Sequence, residues 1–207
     1  MQEFNRKTHW ESIYQTNALK DVGWYQPVPE TSLAFFEEVK VPKTSKIIDI
    51  GGGDSLLVDH LLNRGYEDIT VLDISLEAIQ RAKQRLGEQA KHVQWMVSDI
   101  IDFEPEVEYD VWHDRASFHF LTSSDEAKRY VQIAHKALKP EAFLIIGVFS
   151  DKGPKKCSGI DIQQYSETDL LQHFSPYFAS IRHINVDHST PTGNVQNFVF
   201  GCFKKSE

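Results

Sequence analysis

Lys46-Ile47-Ile48-Asp49-Ile50-Gly51-Gly52-Gly53, followed by Ile69-Thr70-Val71-Leu72-Asp73, decides the fold. An apolar run of strand length meets three glycines, and Leu56, Leu57, Leu61 and Leu62 then recur at helical spacing. A second strand follows and ends on an acid. This is strand, tight turn, helix, strand, the unit from which parallel sheets are built.

The rhythm continues outward from that unit. Ser75 is placed to cap a helix whose apolar side is Leu76, Ile79, Ala82 and Leu86. Val93 to Val97 reads as a third strand and Tyr109 to Trp112 as a fourth. Ser123 and Glu126 have the capping-box spacing, ahead of Ala127, Tyr130, Val131, Ala134 and Leu138 on one helical face. Phe143 to Phe149 is continuously apolar, as a strand covered on both faces should be. After a helix opened by Ser166 and Asp169, Ile181 to Val186 and Val195 to Phe203 flank a turn containing Pro191 and Gly193. No helix separates them, so they should pair as an antiparallel hairpin. The expectation is an α/β fold: a mostly parallel seven-stranded sheet, helices on both faces, and a C-terminal antiparallel hairpin. A single domain over 1–207 is expected, with residues 1–40 as a partly helical cap and 46–207 as the core.

Composition bounds the function. The 207 residues are 41% hydrophobic and 25% charged, ordinary for a globular chain. A net charge of -8 opposes a nucleic-acid surface, which needs clustered Lys and Arg. No apolar run reaches the length of a membrane span, and the polar start is not a signal peptide. Cys157 and Cys202 make no disulfide framework, and no Cys/His spacing suggests a metal, so a reducing cytoplasm is expected.

In sheets of this kind ligands bind beyond the carboxyl ends of the strands. Gly51-Gly52-Gly53 lets the backbone approach a ligand closely, although a glycine bend alone can also be purely structural. Asp73 ends its strand 22 positions after Gly51, near the roughly 20 expected for an acid that takes ribose hydroxyls. Asp99 supplies a further acid at the end of the third strand.

On these residues the chain resembles the class I S-adenosylmethionine-dependent methyltransferases. Ile47 to Gly53 looks like their first motif, Val71-Leu72-Asp73-Ile74-Ser75 their second, and Ser98-Asp99-Ile100 their third. Asp110 to Arg115 stands where the fourth belongs, and Leu138-Lys139-Pro140 is like the Leu-Lys-Pro-Gly-Gly before the fifth strand, with Glu141-Ala142 replacing Gly-Gly. His9-Trp10-Glu11-x-x-Tyr14 and Trp24-Tyr25-Gln26-Pro27 are similar to the cap of a bacterial subgroup, distantly like the elongation-factor lysine methyltransferases. The resemblance implies a Rossmann-like core with S-adenosylmethionine as cofactor and S-adenosylhomocysteine as product. It assigns Asp49 and the amides around Gly51, Gly52 and Gly53 to the methionine end, and Asp73 to the ribose. Ile74 and Ile100 would flank the adenine, Asp99 would take its amino group, and Asp114 and Arg115 would face the methionine moiety and substrate.

Asp114 and His119 are the candidate catalytic residues, to contact or deprotonate the acceptor, although His119 sits among apolar residues as a core histidine would. Trp24 and Tyr25 would cover the sulfonium or serve as cap packing. Cys157 as a nucleophile would need a depressed thiol pKa and has no paired His motif. His183 and His188, on the hairpin, read as surface or edge residues. The acceptor is expected to be a small molecule. A protein lysine is the alternative, and a non-catalytic cofactor-binding module a further one. A nicotinamide oxidoreductase is opposed by Leu56 at the position of the third small residue of the dinucleotide fingerprint. No metal, nucleic acid or membrane partner is expected, and the oligomeric state is not legible.

Overall fold

The computed structural model describes residues 4–206. The chain begins with α1 (Arg6–Thr16) and α2 (Glu30–Glu38), then alternates β1 (Lys46–Ile50), α3 (Leu57–Asn63), β2 (Asp68–Asp73), α4 (Leu76–Leu86), β3 (Val93–Val97), β4 (Tyr109–Arg115), α5 (Ser124–Ala137) and β5 (Leu138–Phe149). A two-residue ladder follows, β6 (Lys156–Cys157) with β7 (Ile160–Asp161). Then come α6 (Glu167–Phe174), β8 (Phe178–Ser189) and β9 (Val195–Lys205).

The main sheet has seven strands in the order β3-β2-β1-β4-β5-β9-β8. Strands β1 to β5 run parallel, while β9 is antiparallel to both β5 and β8. This is the Rossmann-like arrangement with a terminal hairpin. Strand order reverses between β1 and β4, so the loops after them open the crevice where ligands bind in such sheets.

Each face of the sheet carries its own apolar layer. Ile48, Trp112, Leu144 and Ile146 pack against Tyr130, Val131 and Ala134 of α5 on one side. Ile47, Val71, Val111 and Ile145 pack against Phe35 and Phe36 of α2, Leu57 and Leu61 of α3, and Ile79 of α4 on the other. The alternation of inward residues along each strand creates both layers from the same segments.

Helix starts follow local chemistry. The Ser75 and Ser123 hydroxyls accept from the N–H groups of Ala78 and Glu126, and Ser166 with Asp169 closes a full capping box. At Ser123 the box is half made, because the Glu126 side chain pairs with Arg6 instead.

Three expectations need correction. Strand β4 runs to Arg115, so Asp114 and Arg115 close the strand and point to opposite faces. Strand β5 begins at Leu138, and Glu141, in place of a glycine, adopts φ 66. His188 is buried, its Nε2–H donating to the Gly23 carbonyl at 2.8 Å beneath the cap. His183 stands on the edge strand β8, as the sequence suggested, with its side chain 4% exposed. No helix among the described residues is long and apolar enough to cross a membrane.

Candidate active site

The bend after β1 is built against its neighbours. The N–H groups of Gly51 and Gly52 both donate to the Leu72 carbonyl, at 2.7 and 3.3 Å, tying the bend to β2. Gly51 has φ 62, and a Cβ there would stand 1.8 Å from the Ser117 Oγ. At Gly53 a Cβ would meet the Asp73 carboxylate at 2.4 Å. Any side chain at Gly51 would therefore displace the loop after β4.

Asp73 ends β2 almost fully buried, its Oδ1 accepting the Ser75 N–H at 2.8 Å. Burial pushes its carboxyl up to about 7, against that hydrogen bond, and the nearby Asp49 and Glu11 add to the rise. Asp49 is also buried. Its Oδ1 accepts from His113 Nδ1 at 2.7 Å, and the His113 Nε2 meets the Ser32 hydroxyl at 2.8 Å. The second Asp49 oxygen, Oδ2, is shut off from solvent without a partner.

Asp99 ends the next loop along. Its Oδ1 accepts the Ile101 N–H at 3.2 Å, and Arg6 Nη1 lies 3.3 Å from its Oδ2. Arg6 also pairs with Glu126, so α1 is clasped across the mouth of the site. Glu11 fastens the same helix lower down, accepting from the Ser75 hydroxyl and from the Leu76 and Glu77 N–H groups at the start of α4.

Between these groups lies a cavity of about 100 Å³. Asp73, Ile74, Asp99 and Ile100 line one end, the Gly51 bend the middle, and Arg115 and Cys157 the other. Trp10, Tyr14, Trp24 and Phe120 form an aromatic wall, with Trp10–Phe120 centroids 4.9 Å apart and Trp10–Trp24 5.8 Å, both edge-on. Such a wall attracts a cation through the ring faces. A smaller recess of about 40 Å³ adjoins it, sharing Tyr14, Trp24, Gly51 and Arg115 and adding Asp49, Gly52, Ser55 and His113.

Of the residues singled out from sequence, Trp24, Gly51, Asp73, Ile74, Asp99, Ile100 and Arg115 line the cavity, and Asp49 and Gly52 line the recess. Gly53 lines neither and instead leaves room for Asp73 and Ala78. The two catalytic candidates are not brought to the cavity. Asp114 is fully buried, accepting from the Tyr130 hydroxyl at 2.6 Å and the Ser117 N–H at 2.8 Å. Burial pushes its carboxyl up to about 6. His119 is also fully buried, its Nδ1 accepting the Phe149 N–H at 3.2 Å, and burial followed by the nearby Arg115 charge pulls it down to about 3. Burial raises the Cys157 thiol, the reverse of activation.

Sequence reasoning missed Arg6, Trp10, Tyr14 and Phe120. Trp10 and Tyr14 carried a signal, since an i, i+4 pair lies on one helical face; Arg6 carried none, because its partners are 93 and 120 positions away.

The fit to an adenosyl sulfonium rests on this geometry. Two carboxylates close adjacent strand ends, Ile74 and Ile100 offer apolar walls, and an aromatic wall and an unpartnered Asp49 oxygen complete the cradle. No group of three or more metal-ligating side chains stands together among the described residues.

Comparison with known proteins gives the same picture. Residues 48–144 match the family model described as a methyltransferase domain. The chain is 29% identical over 125 residues to the eEF1A lysine and N-terminal methyltransferase of Mus musculus, covering 60% of this chain and 18% of that protein. It thus spans about a fifth of that relative's length. It is 23% identical over 205 residues to the EEF1A lysine methyltransferase 2 of Danio rerio, covering 92% of this chain and 79% of the other. Among solved structures, the 1,6-didemethyltoxoflavin-N1-methyltransferase of Burkholderia thailandensis, with bound 1,6-didemethyltoxoflavin and S-adenosylhomocysteine, superposes with a TM-score of 0.70 at 16% identity. That match covers 97% of this chain and 84% of the other.

Proposed function

We propose that the chain, whose residues 48–144 match a methyltransferase domain, is a class I S-adenosylmethionine-dependent methyltransferase that passes the cofactor's methyl group to a small-molecule nucleophile. Asp73 takes the ribose hydroxyls, Asp99 the adenine amino group, and Ile74 and Ile100 hold the ring between them. Asp49, Gly51 and Gly52 receive the methionine end in the recess. When bound, the cofactor supplies an electrophilic methyl on a sulfonium, so the hard chemistry is its own.

The residues of the chain then have three tasks. Trp10, Tyr14, Trp24 and Phe120 exclude water and present ring faces or edges to the positive sulfur. The Gly51 bend and Ser117 fix the floor of the site. The space between Arg115 and Cys157 aligns the acceptor lone pair with the methyl group, and alignment of this kind contributes on the order of 7–11 kcal/mol to a barrier. Held there, the cofactor would supply both the methyl group and its own thioether as the leaving group. Any proton on the acceptor leaves to solvent, because Asp114 and His119 lie outside the cavity.

The observation that carries the small-molecule reading is the clasp of α1. Arg6 bridges Asp99 and Glu126 while Trp10 and Tyr14 line the cavity, so α1 narrows a half-open cleft to the dimensions of a small acceptor. The solved neighbour with a bound small acceptor supports it. The protein-lysine reading draws support from the names of the curated relatives.

The experiment that separates these is label transfer. The protein is incubated with methyl-labelled S-adenosylmethionine and a cell extract, then small molecules are separated from protein. Label among the small molecules is expected. Label confined to protein would favour the lysine alternative, and saturable cofactor binding with label in neither fraction the non-catalytic module.

A further inference from the structure

Arg115 is a cation set into the cavity wall with half of its hydrogen-bonding edge unused. Its Nη1 donates to the Trp24 carbonyl at 3.0 Å, and its guanidinium carbon lies 4.8 Å from the centre of the Phe198 ring. Nε and Nη2 are closed off from solvent and donate to nothing. Those two nitrogens form one edge of the guanidinium, with parallel N–H groups spaced to meet both oxygens of a carboxylate.

A buried cation with an empty fork is costly unless something pairs with it. No side chain does so among the described residues. Asp114 points to the opposite face of the sheet, toward Tyr130, and Asp49 is held by His113. Cys157 is the near group of potential negative charge, and burial keeps it a neutral thiol. Arg115 itself is pulled down by burial only to about 10, so it stays charged at neutral pH. The other side chains it influences are His119 and His188, both held low by burial with its charge adding.

Direction separates this fork from the adenosyl end. Phe198 belongs to β9, two strands beyond β4 and on the far side from β1, β2 and β3. The guanidinium therefore lies on the side of the cavity away from Asp73 and Asp99 and beside Cys157, while Arg115 also borders the recess assigned to the methionine end.

Resting on the methyltransferase reading above, we propose that the acceptor is a small organic acid whose carboxylate pairs with Nε and Nη2 of Arg115. The resemblance placed Arg115 partly against the cofactor's methionine moiety; the inference assigns its free edge to the acceptor. The carboxylate anchors the acceptor, and the chamber between Arg115 and the aromatic wall selects its remaining shape.

Formate is the smallest probe of that fork. It is titrated into protein saturated with S-adenosylhomocysteine while the arginine Nε–H resonances are followed by NMR, Arg115 being the one absent from Arg115→Gln. The expected result is a saturable downfield movement of that resonance with formate and none with neutral formamide. Arg115→Lys should bind formate at least tenfold more weakly than the parent. Arg115→Lys keeps the test valid if the neutral variant does not fold.

Two results overturn the proposal. One is a resonance unmoved by formate. The other is a resonance moved by S-adenosylhomocysteine but not by 5′-methylthioadenosine, which lacks the amino-acid carboxylate; the fork would then serve the cofactor. Absence of S-adenosylhomocysteine binding would count against the methyltransferase reading instead, and formate titrated into the free protein would still read the guanidinium.

Discussion

The Tyr130 hydroxyl donates to Oδ2 of Asp114 at 2.6 Å, inside the layer between the sheet and α5, and receives the Trp112 indole N–H at 2.8 Å. This chain of buried polar groups runs from the end of β4 into α5. It explains why an acid one residue from the cavity takes no part in it.

Tyr130→Phe is therefore a structural lesion. It strands both Asp114 Oδ2 and the Trp112 N–H, and an unsatisfied buried group costs about 1–3 kcal/mol. Denaturant unfolding should show a loss in that range, while calorimetry should show S-adenosylhomocysteine affinity little changed. A loss of affinity without a loss of stability would return Asp114 to the active site.

Asp73 gives a pH dependence of unusual sign. An unfolded aspartate titrates near 3.9 and this one, when folded, near 7, so between those values the folded state binds more protons. Stability contributed by this group is complete below about pH 4 and is lost as pH rises through 7, at up to about 1.4 kcal/mol per pH unit. Asp114, raised to about 6, acts in the same direction. Asp73→Asn should gain stability relative to the parent between pH 4 and 8 in urea titrations. A constant difference across that range would contradict the assignment.

His119 should not appear in the pH profile of turnover. Held near 3, it is neutral throughout the working range, and its Nδ1 is committed to the Phe149 N–H. His119→Phe leaves that donor unpaired and should cost about 1–3 kcal/mol of stability. Activity per folded molecule should fall by no more than a few-fold. Loss of activity in a fully stable variant would make His119 catalytic.

The Arg6 clasp should act on rates more than on stability. Its partners Asp99 and Glu126 are 20% and 26% exposed, and ion pairs this open to solvent are worth roughly 0–1 kcal/mol. Arg6→Ala should leave the unfolding midpoint nearly unchanged and speed cofactor release several-fold, as read by stopped-flow fluorescence of Trp10 and Trp24. An unchanged release rate would show that α1 does not gate the site.

The mostly parallel sheet and the hairpin were legible because they follow from periodicity. Apolar runs such as Ile47 to Ile50 and Phe143 to Phe149 alternate with helical spacing, and the last two long strands follow one another with a turn and no helix between them. The glycine bend, Asp73 and Asp99 were legible because strand ends are where acids and glycines stand out. What failed was local direction. Reading β4 as ending at Trp112 hid the alternation that sends Asp114 toward Tyr130 and Arg115 into the cavity. His188 looked exposed because nothing in its own strand shows that the Gly23 carbonyl covers it. Arg6 meets Asp99 only through the folded path of the chain.

The most direct measurement is calorimetric titration of S-adenosylhomocysteine into the parent protein and Asp73→Asn. The account predicts saturable binding at one site per chain in the parent. At pH 8, where Asp73 is mostly ionised, affinity in the variant should drop about tenfold or more, as expected when hydrogen bonds to a charged acceptor worth about 1.5–3 kcal/mol are weakened. No binding to the parent, or equal binding to both proteins, would contradict it.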